Sequence, residues 1–406
     1  MRIAFITSEY VTEASHAGGL ANYLARVTKG MTNRGHEVEI FVESNDDAMI
    51  CHNNGLVHRV NPKSVIVERI DRFSQYRLHK SLKGITVSYA LRRQLLCRHQ
   101  ANPFNIVQTS SWGARGLFST FRLPIPIVTR ASSYEPLWRA GYGWPLTLDQ
   151  RICERLELLA LKRSDAVYAP SQALANILEK RLSKAISSIM PPFVFDSIET
   201  NREIGHTFRH IDYLLFFGTM GALKGVHILA QAIKRVISQV PELRFVFVGN
   251  EEIGPTGGRM WDYVVQQAGP YSDRLWHISS LTHADLYPII SHSRGVVLPS
   301  LMNNLPNTCL EAMALGKVVI GTRGASFEQL IENGISGFLV TPGNVMELAE
   351  AIRKVWLMKE SDRVDIGRNA KARVVSLLSP EHTCKELEHY FRTIIKQKTN
   401  DRCHNC

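Results

Sequence analysis

The sequence predicts an α/β protein of two Rossmann-like, doubly wound domains that face each other across a cleft. Three observations carry that expectation. Short apolar runs with the length of buried strands alternate with helix-period stretches along nearly the whole chain. At 406 residues, with an ordinary globular balance of 45% hydrophobic and 21% charged residues, the chain is long enough for two domains. The alternation breaks once, between Met190-Pro191-Pro192 and His210, where two prolines precede a polar, non-periodic stretch.

In the first half, strands are predicted at Ile3–Thr7, Val38–Val42, Ile106–Gln108, Ile125–Val128 and Ala166–Tyr168. A helix from Leu20 to about Arg34 shows apolar spacing and stops at Gly35. In the second half, strands fall at Tyr213–Phe217, Arg244–Val248, Leu275–Ile278, Val296–Leu298, Val318–Ile320 and Phe338–Val340. Helices are predicted near Val226–Val240, Ala284–Ser291, Thr308–Leu315 and Met346–Lys359. The resulting organisation is an N-terminal domain over 1–195 and a C-terminal domain over 196–379. Residues 380–406 supply a helix returning to the first domain, plus a tail.

Composition narrows the function classes. No apolar run approaches the roughly 20 residues needed to cross a bilayer. MRIAFITSEY reads as a first strand, not a signal peptide. Seven cysteines without framework spacing fit reduced thiols, hence a cytoplasmic setting. Cys403-His404-Asn405-Cys406 lacks a second pair to complete a zinc site, and Asp46-Asp47 reads as a loop, so no metal is expected. The formal charge is +11, and between Arg69 and Arg98 eight Lys or Arg face one acid, Asp71. Aromatic and Leu residues interleave with those cations, which suits peripheral contact with an anionic membrane surface, or else a solvated basic helical face. No recognition motif for nucleic acid accompanies the charge.

The most informative segment is LPSLMNNLPNTCLEAMALG, residues 298–316. A short strand gives way to a polar loop, and a helix starts near Pro306 and Asn307. Unpaired N–H groups at such a start, at the positive end of the helix dipole, suit a phosphate. Glu311, one turn further in, can accept two hydroxyl hydrogen bonds of the kind a ribose offers. A capped buried helix with a solvated Glu is the plainer alternative. This segment resembles the donor-binding signature of family 4 glycosyltransferases, retaining nucleotide-sugar enzymes of the GT-B fold. That signature pairs two glutamates eight residues apart; here the second is Glu311 and the first position holds Asn303, which can hydrogen-bond a sugar but carries no charge.

The resemblance extends along nearly the whole chain. Gly18-Gly19 after the first strand matches the family's opening and implies an approach to the donor diphosphate. In FGTMGALKG, residues 217–225, Lys224 and Gly225 stand in register with the family's phosphate-clamping motif, while Thr219 replaces its arginine. Arg130 is the candidate substitute cation, with a buried ion pair as the alternative. Arg130, Ser132 or Tyr134 stands near the place of a family histidine that this chain lacks. VFVGNE, with Gly249, and the segment containing Leu281 and Thr282 resemble the frame of the base pocket. Leu305, Asn307 and Thr308 complete the implied donor set, whereas Glu328 reads as structural. Lys224, Asn303 and Arg130 are the implied catalytic residues. The resemblance implies hexose transfer, foremost from UDP-glucose, to a saccharide or lipid-linked acceptor in polysaccharide biosynthesis, without a cofactor. It further implies a bacterial enzyme at or near the inner membrane face. A GDP-mannose enzyme, a nucleotide-sugar epimerase and a silent sugar-nucleotide binder are the alternatives.

Overall fold

The computed structural model describes residues 1–13, 19–143, 145–194 and 208–404. The chain divides into two compact units, Met1–Pro192 with Leu378–Cys406, and Phe193–Leu377. Among the described residues no helix is long and apolar enough to cross a membrane.

The first unit is built on an eight-stranded sheet. Its elements are β1 (Arg2–Thr7), α1 (Gly19–Asn33), β2 (Glu37–Glu43), β3 (Ala48–His52), β4 (Gly55–Val60), α2 (Val65–Phe73) and α3 (His79–Ala101). There follow β5 (Ile106–Ser110), β6 (Ile127–Arg130), α4 (Glu135–Tyr142), α5 (Leu148–Arg163), β7 (Ala166–Ala169), α6 (Gln172–Leu182) and β8 (Ser187–Ser188). The strand order is β3-β4-β2-β1-β5-β6-β7-β8. Only β3 pairs antiparallel, through a two-residue turn in which Asn53 and Asn54 both take positive φ. Asn tolerates that geometry, as hairpin turns of this length require. The β3–β4 hairpin is absent from the sequence-based expectation.

The second unit is a six-stranded, wholly parallel sheet with the order β11-β10-β9-β12-β13-β14. Its elements run β9 (Leu214–Phe217), α7 (Val226–Val236), β10 (Phe245–Val248), α8 (Met260–Ala268), β11 (Leu275–Ile278) and α9 (His283–His292). They continue with β12 (Gly295–Leu298), α10 (Asn307–Ala314), β13 (Val319–Thr322), β14 (Phe338–Val340), α11 (Val345–Leu357) and α12 (Glu360–Leu378). Strands such as LLFF and FVFV are buried throughout because helices cover both faces, so they read as continuous apolar runs. Val226, Leu229, Ala230, Ile233 and Val236 line the buried face of α7 at helical spacing.

The last helix, α13 (Pro380–His404), packs on the first unit. Cys384, Leu387, Phe391 and Ile394 join a core with β1, β2 and α1 residues. Tyr390 donates its hydroxyl to the Val167 carbonyl at 3.1 Å, and Glu388 accepts from Arg34.

Candidate active site

Among the parallel strands of each sheet the order reverses once, and loops diverge there from the carboxyl ends of neighbouring strands. Open α/β sheets bind ligands at such a switch point. In the second unit it lies between β9 and β12, and the loops leaving them are residues 218–225 and 299–306. Close backbone approach shapes both. A Cβ at Gly225 (φ 70°) would collide with the Pro299 carbonyl, and one at Gly249 (φ 148°) with the Gly218 carbonyl. The Leu301 N–H donates to the Leu223 carbonyl at 2.9 Å, tying the two loops together. A Cβ placed on Gly218 would lie 3.5 Å from Thr308 Cγ2, so the 218 turn abuts the start of α10.

Lys224, next to last in the first loop, is half-buried. Burial pushes its ammonium below the ordinary value, and the nearby Glu252 carboxylate acts in the opposite direction. Thr219 is exposed and sits between Gly218 and Met220. At α10, Pro306 fills the N-cap position and provides no side-chain cap. Cys309, Leu310, Ala312 and Met313 face the core, leaving exposed Asn307 and half-buried Thr308 and Glu311 on the opposite side. Glu311 Oε1 lies 3.8 Å from Nε2 of His283 at the start of α9. Asn303 is half-buried in the loop ahead of α10, with Nδ2 3.4 Å from Ser300 Oγ, and its carbonyl accepts from Ser326 at 3.1 Å. Leu305 is half-buried in the same loop.

Towards the sheet edge, His277 Nε2 donates to the Gly249 carbonyl at 2.9 Å and its ring packs against Trp261. Burial alone would raise the Glu251 carboxyl, but hydrogen bonds from Arg259 and the Trp261 N–H outweigh it and hold the group below its ordinary value. Leu281 is half-buried just ahead of α9, where Thr282 is the N-cap residue. Glu328 accepts from the Gly324 N–H, the structural role read from the sequence.

The switch point of the first unit falls between β1 and β5. Gly18 lies outside the described residues, and Gly19 opens α1. Glu9 Oε1 accepts from the Ala21 N–H at 3.3 Å, placing a carboxylate on the very turn expected to meet an anion. Arg130, at the end of β6, is buried but forms no ion pair with a carboxylate among the described residues. Its guanidinium stacks 3.8 Å from the Tyr23 ring centroid and donates to Ser132 Oγ at 3.0 Å, while Nε has no partner there. For the ion-pair alternative, no carboxylate pairs with Arg130 among the described residues, and an aromatic face packs there. Trp112, half exposed after β5, is held by a turn whose Gly113 N–H donates to Glu157 Oε1 at 2.7 Å.

The structure thus brings Thr219, Lys224, Gly249, Asn303, Thr308 and Glu311 together around one switch point, and Gly19 and Arg130 around the other. Sequence reading misses His283, Glu252 and Glu9. Each is a single polar residue in a loop or at a helix start, with no spacing pattern to mark it.

Two family models match. The description "Glycosyltransferase Family 4" covers residues 17–194, and "Glycosyl transferases group 1" covers 211–357. The chain belongs to the family 4 glycosyltransferases of the GT-B fold. This family 4 member is 28% identical to the capsular polysaccharide biosynthesis glycosyltransferase CapM of Staphylococcus aureus, over 43% of this chain and 44% of CapM. It is 23% identical to the MMP alpha-(1->4)-mannosyltransferase of Mycolicibacterium hassiacum, over 93% of this chain and 95% of that protein. The matches span about half the length of the first two curated relatives. Its fold is that of Anabaena HepE, solved in complex with UDP, with a TM-score of 0.69, 16% identity, and coverage of 97% of this chain and 100% of that one.

Proposed function

We propose that this chain transfers a hexose, foremost glucose from UDP-glucose, to a saccharide or lipid-linked saccharide acceptor in polysaccharide assembly, with retention of configuration. The observation that carries this reading is the convergence of the loop that bears Lys224 with the uncapped start of α10 at the switch point of the second sheet. A leaving nucleoside diphosphate accumulates negative charge as its bond to the sugar breaks. Lys224, Thr308 and the free N–H groups of α10 supply positive charge and donors for it, so the site does not depend on a metal. Glu311 is placed to accept from the ribose hydroxyls, and Gly249 and Leu281 border the base. Asn303 hydrogen-bonds the sugar. Arg130 is the further cation in this reading, with unused donor capacity at Nε.

In the reaction, the bond between the sugar C1 and the diphosphate oxygen breaks, and a bond from C1 to an acceptor hydroxyl forms on the same face. The acceptor proton passes to the departing diphosphate oxygen. HepE, also solved in complex with UDP-glucose, supports the choice of donor. A GDP-mannose donor is the second reading, favoured by the mannosyltransferase that matches along 93% of this chain. The test is a panel of UDP-glucose, UDP-galactose and GDP-mannose, scored for thermal stabilisation and for hydrolysis without acceptor. Preference for UDP-glucose supports the first reading and GDP-mannose the second. Tight binding without turnover of any donor, with lipid-linked acceptors included, identifies a silent binder.

A further inference from the structure

The basic stretch Arg69–Arg98 is not one solvated face. Arg92 donates to the carbonyls of Phe118 and Phe121, Arg98 bonds both oxygens of Glu39, and Lys83 pairs with Glu43 at 2.9 Å. These cations hold α3 onto the sheet and are unsuited to an external partner. Of the rest, Tyr89 and Arg93 are exposed along α3, and Arg69, Arg72, Arg77 and Lys80 lie outward at the corner between α2 and α3. Phe73 is 93% exposed there, Tyr76 62% and Ile70 44%. Exposed Arg69, Arg72 and Arg77 alternate with them. Glu68 is the exposed acid nearby, because Asp71 is buried and bonds His79 Nδ1 at 2.5 Å.

The corner is a built feature. Gln75 and Tyr76 both take positive φ, and the Tyr76 N–H donates to the Asp71 carbonyl at 2.9 Å. Asp149, from α5, accepts from the Lys80 and Ser81 N–H groups at 2.9 Å each and anchors the start of α3. An almost fully exposed Phe carries a standing solvation cost that burial in another medium would remove. Three apolar side chains ringed by arginines, with one facing acid, match the boundary between anionic headgroups and acyl chains.

We propose that the α2–α3 corner is an interfacial element that seats Ile70, Phe73 and Tyr76 in an anionic phospholipid surface, with Arg69, Arg72 and Arg77 among the headgroups. A nucleic-acid strand would use the arginines and stack on the two rings, but it offers nothing to Ile70. The proposal is independent of the donor chemistry, since it concerns the first unit alone.

The test is flotation of the full chain with vesicles of phosphatidylglycerol and phosphatidylcholine, against pure phosphatidylcholine, at low and high salt. Binding is expected for anionic vesicles and should weaken with salt. A Phe73→Ser/Tyr76→Ser double variant, which touches only exposed side chains, should bind about tenfold more weakly or worse. A Phe73→Trp variant should gain indole fluorescence that brominated acyl chains quench. Absence of binding to anionic vesicles at low salt would overturn the proposal. So would wild-type affinity in the double variant, an unquenched signal from the Phe73→Trp variant, or binding of single-stranded DNA in place of vesicles.

Discussion

His283 Nε2 stands 3.8 Å from Glu311 Oε1, linking the start of α9 to the middle of α10. The contact joins the segment assigned to the base with the carboxylate assigned to the ribose. Glu311→Ala should therefore weaken UDP itself, by roughly 2–4 kcal/mol if two charged hydrogen bonds are lost. Calorimetric titration with UDP checks this. Unchanged UDP affinity alongside failed sugar transfer removes Glu311 from the ribose.

Lys224 and Glu252 should separate by pH. Burial lowers the Lys224 ammonium and Glu252 raises it. Removing the negative charge with Glu252→Gln therefore moves the Lys224 value further down. The alkaline limb of the kcat/KM profile should shift to lower pH in that variant, because the charged lysine is lost earlier. Lys224→Ala should cost about 10²-fold in kcat below the alkaline limb, since its contact strengthens as the leaving group forms, and the deficit should narrow where the wild-type lysine loses its charge.

Asn303 lies beside Ser300 in the loop ahead of α10. Asn303→Ala should lower kcat/KM for the UDP-sugar about three- to tenfold, the worth of one neutral hydrogen bond. UDP affinity should stay unchanged, because the side chain is assigned to the sugar. A matched loss of UDP binding contradicts that assignment.

Glu157 makes a stability prediction. Burial pushes its carboxyl up to about 7, with Glu135 and Glu154 adding to the rise, and the Gly113 N–H and Arg115 opposing it. A group whose folded value is raised contributes fully below its unfolded value and loses that contribution as pH climbs through the folded one. The protein therefore carries a cost above pH 7 that disappears near pH 4.5. Glu157→Gln keeps an oxygen for Gly113 and should be more stable at pH 8, on the order of 2 kcal/mol. The difference should vanish in acid, as measured by urea unfolding across pH.

The strands of the second unit are legible in the sequence because parallel strands buried on both faces leave uninterrupted apolar runs such as LLFF and FVFV. The loops after β9 and β12 are legible through their glycines, since close backbone approach excludes a side chain at Gly225. The β3–β4 hairpin escapes because AMICH alternates weakly at a half-exposed edge, and its Asn53-Asn54 turn is a weaker signal than Asn-Gly. The Arg69–Arg98 stretch reads as a single basic region. Composition shows charge but not which arginines turn inward, and only the fold separates Arg92 and Arg98 from the α2–α3 corner. Helix α12 escapes because its sequence, ESDRVDIGRNAKARVVSLL, is polar over most of its length.

The central claim is that a UDP-sugar diphosphate binds where the loops after β9 and β12 meet. Hydrogen–deuterium exchange of the full chain with and without UDP tests it most directly. The account predicts slowed exchange in both 218–225 and 303–311 on adding UDP. Protection confined to other segments, or UDP binding that leaves these two unchanged, would contradict it.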